Sequence, residues 1–358
     1  MTITISDLRR FTVARNFPKP AALNPTLQRL GFVQADPIRA PARAQDLILR
    51  HRVKNYHNGD LERFYQKLDV EEDVFVNYGY VTRSLQELMH PRPASLRGQA
   101  RRARLVSDFI NERGEAHPRE VDEHFAHGTV TNYWGGSSNA TTHLLDLMHY
   151  NGLLRVARRE KGIRIYKTHR HEPLAKSARD RRIRVDALVD VLVNIYAPLP
   201  SSSLTYYVRR LQYAAPQWRK ELSGALQRAK QRLAHTRCEN LDWYWPAGED
   251  VLAYESQETV RLLAPFDPVV HDRARFELLW NWVYRFEAYT PVAKRKLGYY
   301  AMPLLWRENV IGWANLSVRN GALEVDLGYA SEPPRDRTFR RELNAEIDRV
   351  SAFLATKR

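Results

Sequence analysis

The chain has 358 residues, 44% of them hydrophobic, which is enough for two or three domains with cores of their own. Lys and Arg number 56 against 41 Asp and Glu, and the net charge of +15 favours a polyanionic partner, nucleic acid before an anionic membrane surface. The single cysteine, Cys238, excludes an intramolecular disulfide and a multi-cysteine metal site. No run approaches the ~18 apolar residues of a membrane span and no secretion signal is seen, so we expect a soluble, cytoplasmic protein.

The first 93 residues predict a helical module that also contains strands. The apolar spacing favours helices near 6–16, 26–30, 41–54 and 61–68, with strand-like sequence at 31–38 and 74–80. The order of helices and strands resembles, less clearly, the order predicted for residues 94–175.

Residues 94–175 give the clearest local pattern. Helices are predicted near 96–112 and 118–125, and a third helix begins at a cap on Ser137 or Ser138 and stops before Gly152. The next segment alternates apolar and polar residues on both sides of a Glu160-Lys161-Gly162 turn, as a hairpin does.

Three helices followed by a hairpin is the element order of a winged helix, in which the last helix and the hairpin, called the wing, contact DNA. The alternative is a unit used only for packing. Cations in the wing favour nucleic acid over that alternative, and they include Arg158, Arg159, Lys161 and Arg164.

Residues 176–256 repeat the order, with helices near 183–196, 202–211 and 217–233 and a hairpin through 235–245. From 257 onward, strand-like runs such as 261–270 and 282–291 alternate with short turns and favour a small barrel or curved sheet, with a last helix near 335–355. The predicted fold class is α+β, with three tandem winged-helix modules (1–93, 94–175 and 176–256) followed by a small C-terminal β-barrel with a terminal helix (257–358).

Catalytic candidates are few, because the sequence holds no Walker loop, nucleotide-binding GxGxxG, HExxH or GxSxG motif. The exception is Gln34-Ala35-Asp36, where an amide and a carboxylate two residues apart on an extended stretch point the same way. Burying an unpaired carboxylate in an apolar run is costly, so the presence of Asp36 there indicates a structural or a chemical role. Two interpretations stay open at this point: Asp36 caps the following helix, as Asp-Pro pairs often do, or it carries chemistry.

Several segments resemble a known family. Gln34-x-Asp36, ahead of a long predicted helix, resembles the Gln-x-Asp motif of the YcaQ/AlkX branch of the winged-helix DNA glycosylases, whose sister branch AlkZ carries Gln-x-Gln. LLAPFDPVVHDRARFELL, YRFEAYTPVAKRKLGYYAMPLL and VIGWANL resemble the family's C-terminal signature. Asn132-Tyr133-Trp134 and the wing segment IRIYKTHR resemble its middle module. The resemblance spans nearly the whole chain and implies three tandem winged helices plus a C-terminal β-barrel.

Three positions depart from the family pattern. Tyr78-Gly79-Tyr80 stands where the family has Trp-x-His, and Gly312-Trp313-Ala314-Asn315 replaces Gly-Arg-x-Asp. His271 replaces the aromatic residue before Asp272-Arg273. The phenol of Tyr80 thus takes the place of an imidazole near the lesion, which leaves the chemistry possible and makes the substrate range an open question.

The resemblance implies a monofunctional DNA glycosylase that releases cationic alkylated purines, N7-alkylguanine and N3-alkyladenine, including bulky adducts and interstrand crosslinks. A cationic base leaves without being protonated, so one carboxylate suffices: Asp36 acts as general base and stabilises the sugar, and Gln34 orients the water. Neither a metal nor an organic cofactor is needed. The expected partner is double-stranded DNA carrying alkylated bases, contacted by Tyr80, Arg158, Arg159, Lys161, Arg164, Lys294 and Arg295.

The alternative, from a different class, is a non-enzymatic winged-helix DNA-binding regulator or lesion-binding protein in which Asp36 is only a cap. Dimeric regulators usually read paired half-sites. Three modules in one chain fit wrapping of DNA by a monomer better, so we expect a monomeric enzyme.

Overall fold

The computed structural model describes residues 2–93, 96, 98–131, 136–172 and 177–355. The chain divides into two compact units, each built from separate stretches of sequence. Unit 1 comprises Met1–Leu61, Val189–Arg209 and Leu226–Arg358, and unit 2 comprises Glu62–Leu188 and Arg210–Ala225. The division into four modules inferred from the sequence stays a prediction.

Helices supply most of the regular structure in the described residues. The first begins with a capping box, in which the Thr4 side chain accepts a hydrogen bond from the Asp7 backbone and the Asp7 carboxylate accepts one from the Thr4 backbone. The helices are α1 Ile5–Asn16, α2 Leu23–Leu30, α3 Ala44–Leu49, α4 Asp60–Phe64, α5 Arg83–Met89, α6 Ala100–Arg113, α7 Pro118–Phe125, α8 Ala140–Tyr150, α9 Ala178–Tyr196, α10 Ser201–Ala214, α11 Leu222–Arg232, α12 Arg273–Trp280 and α13 Arg337–Leu354.

Short strands lie between these helices. Mixed helix and sheet confirms the predicted α+β class. The strands are β1 Phe32–Gln34, β2 Val70–Val74, β3 Tyr78–Thr82, β4 Thr129–Thr131, β5 Ser137–Asn139, β6 Leu154–Glu160, β7 Ile163–Thr168, β8 Leu199–Pro200, β9 Ala234–Cys238, β10 Leu241–Trp245, β11 Val260–Leu262, β12 Met302–Trp306, β13 Asn309–Arg319 and β14 Ala322–Tyr329.

In unit 2, α6, α7 and α8 precede the β6–β7 hairpin, which is the order predicted for this part of the chain. The hairpin reverses at Lys161 and Gly162, whose φ angles of 49° and 85° are left-handed, as a tight turn requires. Apolar side chains from all five elements are buried together, and they include Val106, Ile110, Val121, Leu144, Met148, Val156 and Ile165.

The loop before α8 differs from its prediction. It contains the short antiparallel pair β4–β5. The cap of α8 is Asn139, whose side chain accepts a hydrogen bond from the Thr142 backbone, so Ser137 and Ser138 do not cap it. The Asn132-Tyr133-Trp134 segment lies outside the described residues.

The prediction of a long helix at 41–54 is wrong, because only the six-residue helix α3 forms there. Pro37 and Pro41 have no backbone N–H to give to a helix, and the segment between them is irregular. After α3 the chain turns to pair with Ala21, which exchanges backbone hydrogen bonds with Arg52 and Lys54 (3.1 and 2.8 Å). That pairing ends the helix.

The prediction of a single strand at 74–80 is also wrong, because the chain reverses there to form the β2–β3 hairpin. Phe75 and Val76 lie between the strands and are 0% and 2% exposed. Two of the three residues between the strands are therefore buried and apolar, and Asn77 is the one residue there of a type that is common in turns.

The C-terminal part of unit 1 contains an antiparallel sheet with strand order β11–β12–β13–β14. Within the described residues this sheet is open, with β11 and β14 as its edges, so the predicted closed barrel is not seen. Residues 273–280, for which no element was predicted, form α12, and Asp272 caps this helix by accepting from the Arg275 backbone (3.0 Å). The run 282–291 belongs to no sheet in the described chain.

Buried charges join distant segments of unit 1. The Arg52 guanidinium donates to both oxygens of Asp267 at 2.7 and 3.0 Å, and both side chains are 0% exposed. Glu346 of α13, also fully buried, accepts from Arg50 (2.7 Å) and from the Leu262 backbone (3.0 Å). These interactions fix the segment after Asp36 against the C-terminal sheet region of the same unit.

Candidate active site

Gln34 and Asp36 lie at the end of β1. Gln34 is the last residue of the strand and is 8% exposed, and Asp36 follows on the irregular segment that leads to α3. The Asp36 backbone N–H donates to the side-chain oxygen of Gln45 (3.4 Å), and Gln45 is 2% exposed. A buried side chain of α3 thus holds the backbone at the motif.

The Asp36 carboxylate does not cap α3, which begins at Ala44 with Arg43 in the cap position. The helix-cap interpretation is therefore wrong. One carboxylate oxygen accepts from the Ile38 backbone two residues on (2.9 Å), an Asx turn, and among the described residues this is its one hydrogen-bond donor.

The environment of Asp36 disfavours its charge. The side chain is half-buried, and burial raises the pKa of its carboxyl above the ordinary value, with a smaller opposing effect of the hydrogen bond from Ile38. A raised pKa makes the ionised carboxylate more basic. A general base needs that property, because proton transfer is most efficient when its pKa is close to the working pH.

Tyr300 provides a second polar group near Asp36. Its side chain is 3% exposed, and among the described residues its hydroxyl has no hydrogen-bond partner. Burial raises the pKa of Tyr300 well above the ordinary value, and the negative charge of Asp36 raises it further. The phenol and the carboxylate are therefore close enough to interact electrostatically, and the phenol stays protonated.

The neighbours of Tyr300 donate their hydrogen bonds to carbonyl groups. The Tyr284 hydroxyl donates to the Ala301 carbonyl at 2.6 Å. The Arg273 guanidinium donates to the carbonyls of Pro265 (2.8 Å) and Val270, and it lies 4.4 Å from the centre of the Tyr284 ring. These hydrogen bonds hold the residues around Tyr300 in place. The positive charge of Arg273 faces backbone carbonyl oxygens.

A groove with a cavity volume of about 920 Å³ opens beside these residues. One wall starts at Arg39, three residues after Asp36, and Tyr300 lies in another wall. Gly298 is required between the walls, because its φ is +122° and a Cβ there would approach the Asn315 side chain to 2.3 Å. The lining residues are 39–41, 298–300, 315–319 and 324–326.

The segment leading into the groove is held by Glu287. This carboxylate, 5% exposed, accepts from the backbones of Lys296, Leu297 and Gly298 at 2.8, 2.8 and 3.3 Å. The loop that it closes presents Tyr289 and Val292, which are 80% and 76% exposed, together with exposed Lys294. Arg295 points back to the loop, donates to the Thr290 carbonyl and lies over the Tyr299 ring at 5.0 Å.

The structure places the other predicted DNA-contacting residues in unit 2. Tyr80 is 1% exposed and packs edge to face against Tyr65 at 6.1 Å. A side chain this buried cannot reach DNA without leaving the core, so we remove Tyr80 from the proposed interface.

The wing cations differ in how exposed they are. Arg159 forms an ion pair with Glu72 (2.5 Å), whose side chain is fully buried, so Arg159 has a structural role. Arg158 pairs with Glu115 (2.8 Å) and Arg164 pairs with Asp146 (2.6 Å), both partly exposed. Lys161, at the tip of the hairpin, is exposed.

Sequence reasoning identified the motif but missed Tyr300 and Gln45. Tyr300 stands in the GYYAMPLL segment that carries the resemblance, yet nothing in the sequence says that its hydroxyl is buried near Asp36. Among the described residues, no three His, Cys, Asp or Glu side chains are grouped so that they could hold a metal ion, and no helix is long and apolar enough to cross a membrane.

Comparisons with known proteins identify the family of the chain. The model of the family described as DNA glycosylase AlkZ-like matches residues 27–353. The chain is therefore a DNA N-glycosylase, an enzyme that acts on DNA. It belongs to the AlkZ-like DNA glycosylase family, which confirms the predicted resemblance. Among solved structures it is similar to the DNA glycosylase AlkZ of Streptomyces sahachiroi, with 12% identity, a TM-score of 0.63 and 100% of each chain covered, a likeness that shows the fold.

Proposed function

We propose that this enzyme is a monofunctional glycosylase that hydrolyses the N-glycosidic bond of cationic alkylated purines, N7-alkylguanine and N3-alkyladenine, in double-stranded DNA. The observation that carries the proposal is the half-buried Asp36 carboxylate, which has one described hydrogen-bond donor and lies three residues before Arg39 in the wall of a large groove.

The reaction needs a base for water and no acid for the leaving group. Water attacks C1′ of the deoxyribose and passes a proton to Asp36, while the electron pair of the C1′–N9 bond moves into the purine and neutralises its positive charge. The negative charge of Asp36 also stabilises the oxocarbenium-like sugar, and the Gln34 amide orients the water. No metal or organic cofactor enters this scheme.

The size of the groove supports bulky substrates. Pockets for small ligands span roughly 300–1,000 Å³, and the groove beside Asp36, at about 920 Å³, is at the upper end of that range. Arg39 and Arg319 on its walls carry positive charge, and Glu324 and Asp326 carry negative charge. An open, mixed lining of this kind accepts large adducts and interstrand crosslinks better than a closed pocket shaped for one flipped base.

We propose that a monomer contacts DNA through two separate segments. In unit 2, α6–α8 and the β6–β7 hairpin act as a winged helix, with Lys161 at the wing tip on phosphate. In unit 1, the loop closed by Glu287 brings Lys294 to phosphate and exposes Tyr289 and Val292 to the bases. The β11–β14 sheet is the core of the barrel-like C-terminal module in this scheme.

A first prediction concerns the products. Because water attacks the sugar, borohydride is expected to trap no covalent protein–DNA adduct, and the product is an intact abasic strand with free base beside it. None of the described residues that line the groove is a Lys, and the Lys residues nearest to Asp36 in sequence are Lys19 and Lys54. Gel analysis after borohydride treatment checks this, and a trapped Schiff base would show that the attacking group is an amine.

A second prediction tests the DNA-binding segments apart from catalysis. Removing one cation that neutralises a phosphate reduces the slope of log affinity against log salt by about 0.9. Lys161→Ala and Lys294→Ala are each expected to reduce the slope by about one and to weaken binding of damaged and undamaged duplex equally. The control is Lys19→Ala, an exposed lysine outside both segments, for which no change is expected. If affinity falls only for damaged DNA and the slope is constant, the residue reads the lesion and does not bind phosphate.

A further inference from the structure

The Tyr300 hydroxyl takes part in none of the hydrogen bonds that hold the described residues together. Its side chain is only 3% exposed, and the described residues offer no partner for its hydroxyl. Such a group has lost its hydrogen bonds to water without replacing them, so it opposes folding and removing it is at worst neutral for stability. Groups of this kind are expected where a ligand supplies the missing partner.

The position of Tyr300 shows where that partner enters. The residue lies in the wall of the groove beside Asp36, and the ring of Phe286 packs edge to face against it at 5.4 Å, so the phenol is held in place. The negative charge of Asp36 acts on it and raises its pKa. The neutral phenol therefore lies in one wall of the groove, the anionic Asp36 lies three residues before Arg39 of another wall, and no described residue bonds to the phenol hydroxyl.

We propose that Tyr300 positions the attacking water for Asp36, an inference that rests on the proposed function. The phenol donates to the water oxygen, and the water donates one hydrogen to the Asp36 carboxylate and the other to the Gln34 amide oxygen. One lone pair of the water then remains for C1′ of the deoxyribose. The proton balance is that of the proposed hydrolysis, because Tyr300 keeps its own proton throughout.

Tyr284 is a matched control within the same cluster. Its hydroxyl donates to the Ala301 carbonyl at 2.6 Å, so its hydrogen bond serves the fold and is complete without substrate. Tyr284→Phe and Tyr300→Phe each remove one oxygen and keep the ring. The two variants therefore separate the effect of a structural hydrogen bond from that of a donor to water.

The test measures single-turnover release of N7-methylguanine from a duplex, together with the Tm. For Tyr300→Phe we expect the maximal rate to fall by at least about tenfold, less than the effect of removing the general base, with the half-saturating enzyme concentration unchanged and the Tm equal or higher. For Tyr284→Phe we expect a lower Tm and a rate within about threefold of wild type.

Three results would overturn the inference. A wild-type rate in Tyr300→Phe means that the water is held without the phenol, and the proposed function survives. Equal falls in rate for both variants, each with a lowered Tm, mean that the hydroxyl acts through the fold. If the wild-type enzyme releases no base from a duplex that it binds, the proposed function fails and this inference fails with it.

Discussion

Replacing Asp36 with Asn is expected to slow release of the alkylated base by at least about 100-fold, the usual scale for removal of a general base. Asn has nearly the same shape, and its side-chain oxygen can still accept from the Ile38 backbone, so the Asx turn is preserved. It cannot take a proton from water or stabilise a positive sugar. Single-turnover excision on a duplex with one N7-methylguanine measures the effect.

Stability and affinity serve as controls for this variant. The pKa of Asp36 is higher in the folded than in the unfolded chain, so its contribution to stability is present at low pH and disappears as pH rises through the folded pKa. At neutral pH the Asn variant avoids that penalty, and its Tm is expected to be equal or higher. DNA affinity is expected to be unchanged or slightly tighter, because a negative charge near phosphate is gone. Gln34→Ala slows excision less, since Asp36 alone can still hold the water.

Asp267→Asn is expected to destabilise the protein by about 3–5 kcal/mol, the range for breaking a buried ion pair by removing one partner. The substitution leaves the Arg52 guanidinium charged and fully buried without its anion. Arg52 follows the Asp36 segment, and Asp267 precedes the segment that contains Arg273, so the ion pair holds two parts of the site together. Urea unfolding followed by circular dichroism measures the decrease in stability.

The matched control is Glu258→Gln in the same unit. Its ion pair with Arg307 is as short (2.6 Å), but the two side chains are 57% and 39% exposed. Solvent screens such a pair, and removing it is expected to change stability by no more than about 1 kcal/mol. Equal effects of the two substitutions would mean that burial does not control the strength of the Arg52–Asp267 pair.

The elements that the sequence predicts well are those whose signals are local. The β6–β7 hairpin follows from alternation on both sides of Lys161-Gly162, and α7 matches its predicted bounds because Pro118 marks its first turn. The α13 helix follows from its amphipathic pattern. In each case the periodicity and the capping residues lie within one short window.

The elements that failed depend on distant interactions. The end of α3 is set by pairing with Ala21, and the β2–β3 turn contains Phe75 and Val76, two apolar residues that are buried. The α12 helix was missed because it is only eight residues long, too short for its periodicity to be distinguished from that of the apolar runs on either side. None of these causes is visible within a window of ten residues.

The sequence predicted the candidate catalytic motif of the site, because its signal is local, and did not predict which side chains are buried. Gln34 and Asp36 were found because a carboxylate in an apolar run is unusual and because the motif resembles a known family. The exposure of side chains could not be predicted, so Tyr80 and Arg159 were expected on the surface although one is in the core and the other is paired with buried Glu72. Tyr300 becomes conspicuous only when its burial and missing partner are known.

The most direct test of the proposed function is whether the wild-type enzyme releases free base from DNA. A duplex with a single radiolabelled N7-methylguanine is incubated with excess enzyme, and the ethanol-soluble fraction is analysed by chromatography. We predict stoichiometric release of N7-methylguanine as the free base, with an abasic strand that breaks only on heating in alkali. If the enzyme binds this duplex and no free base appears, Asp36 is not the base of an alkylpurine glycosylase, and binding of the lesion without cleavage is the better account of the site.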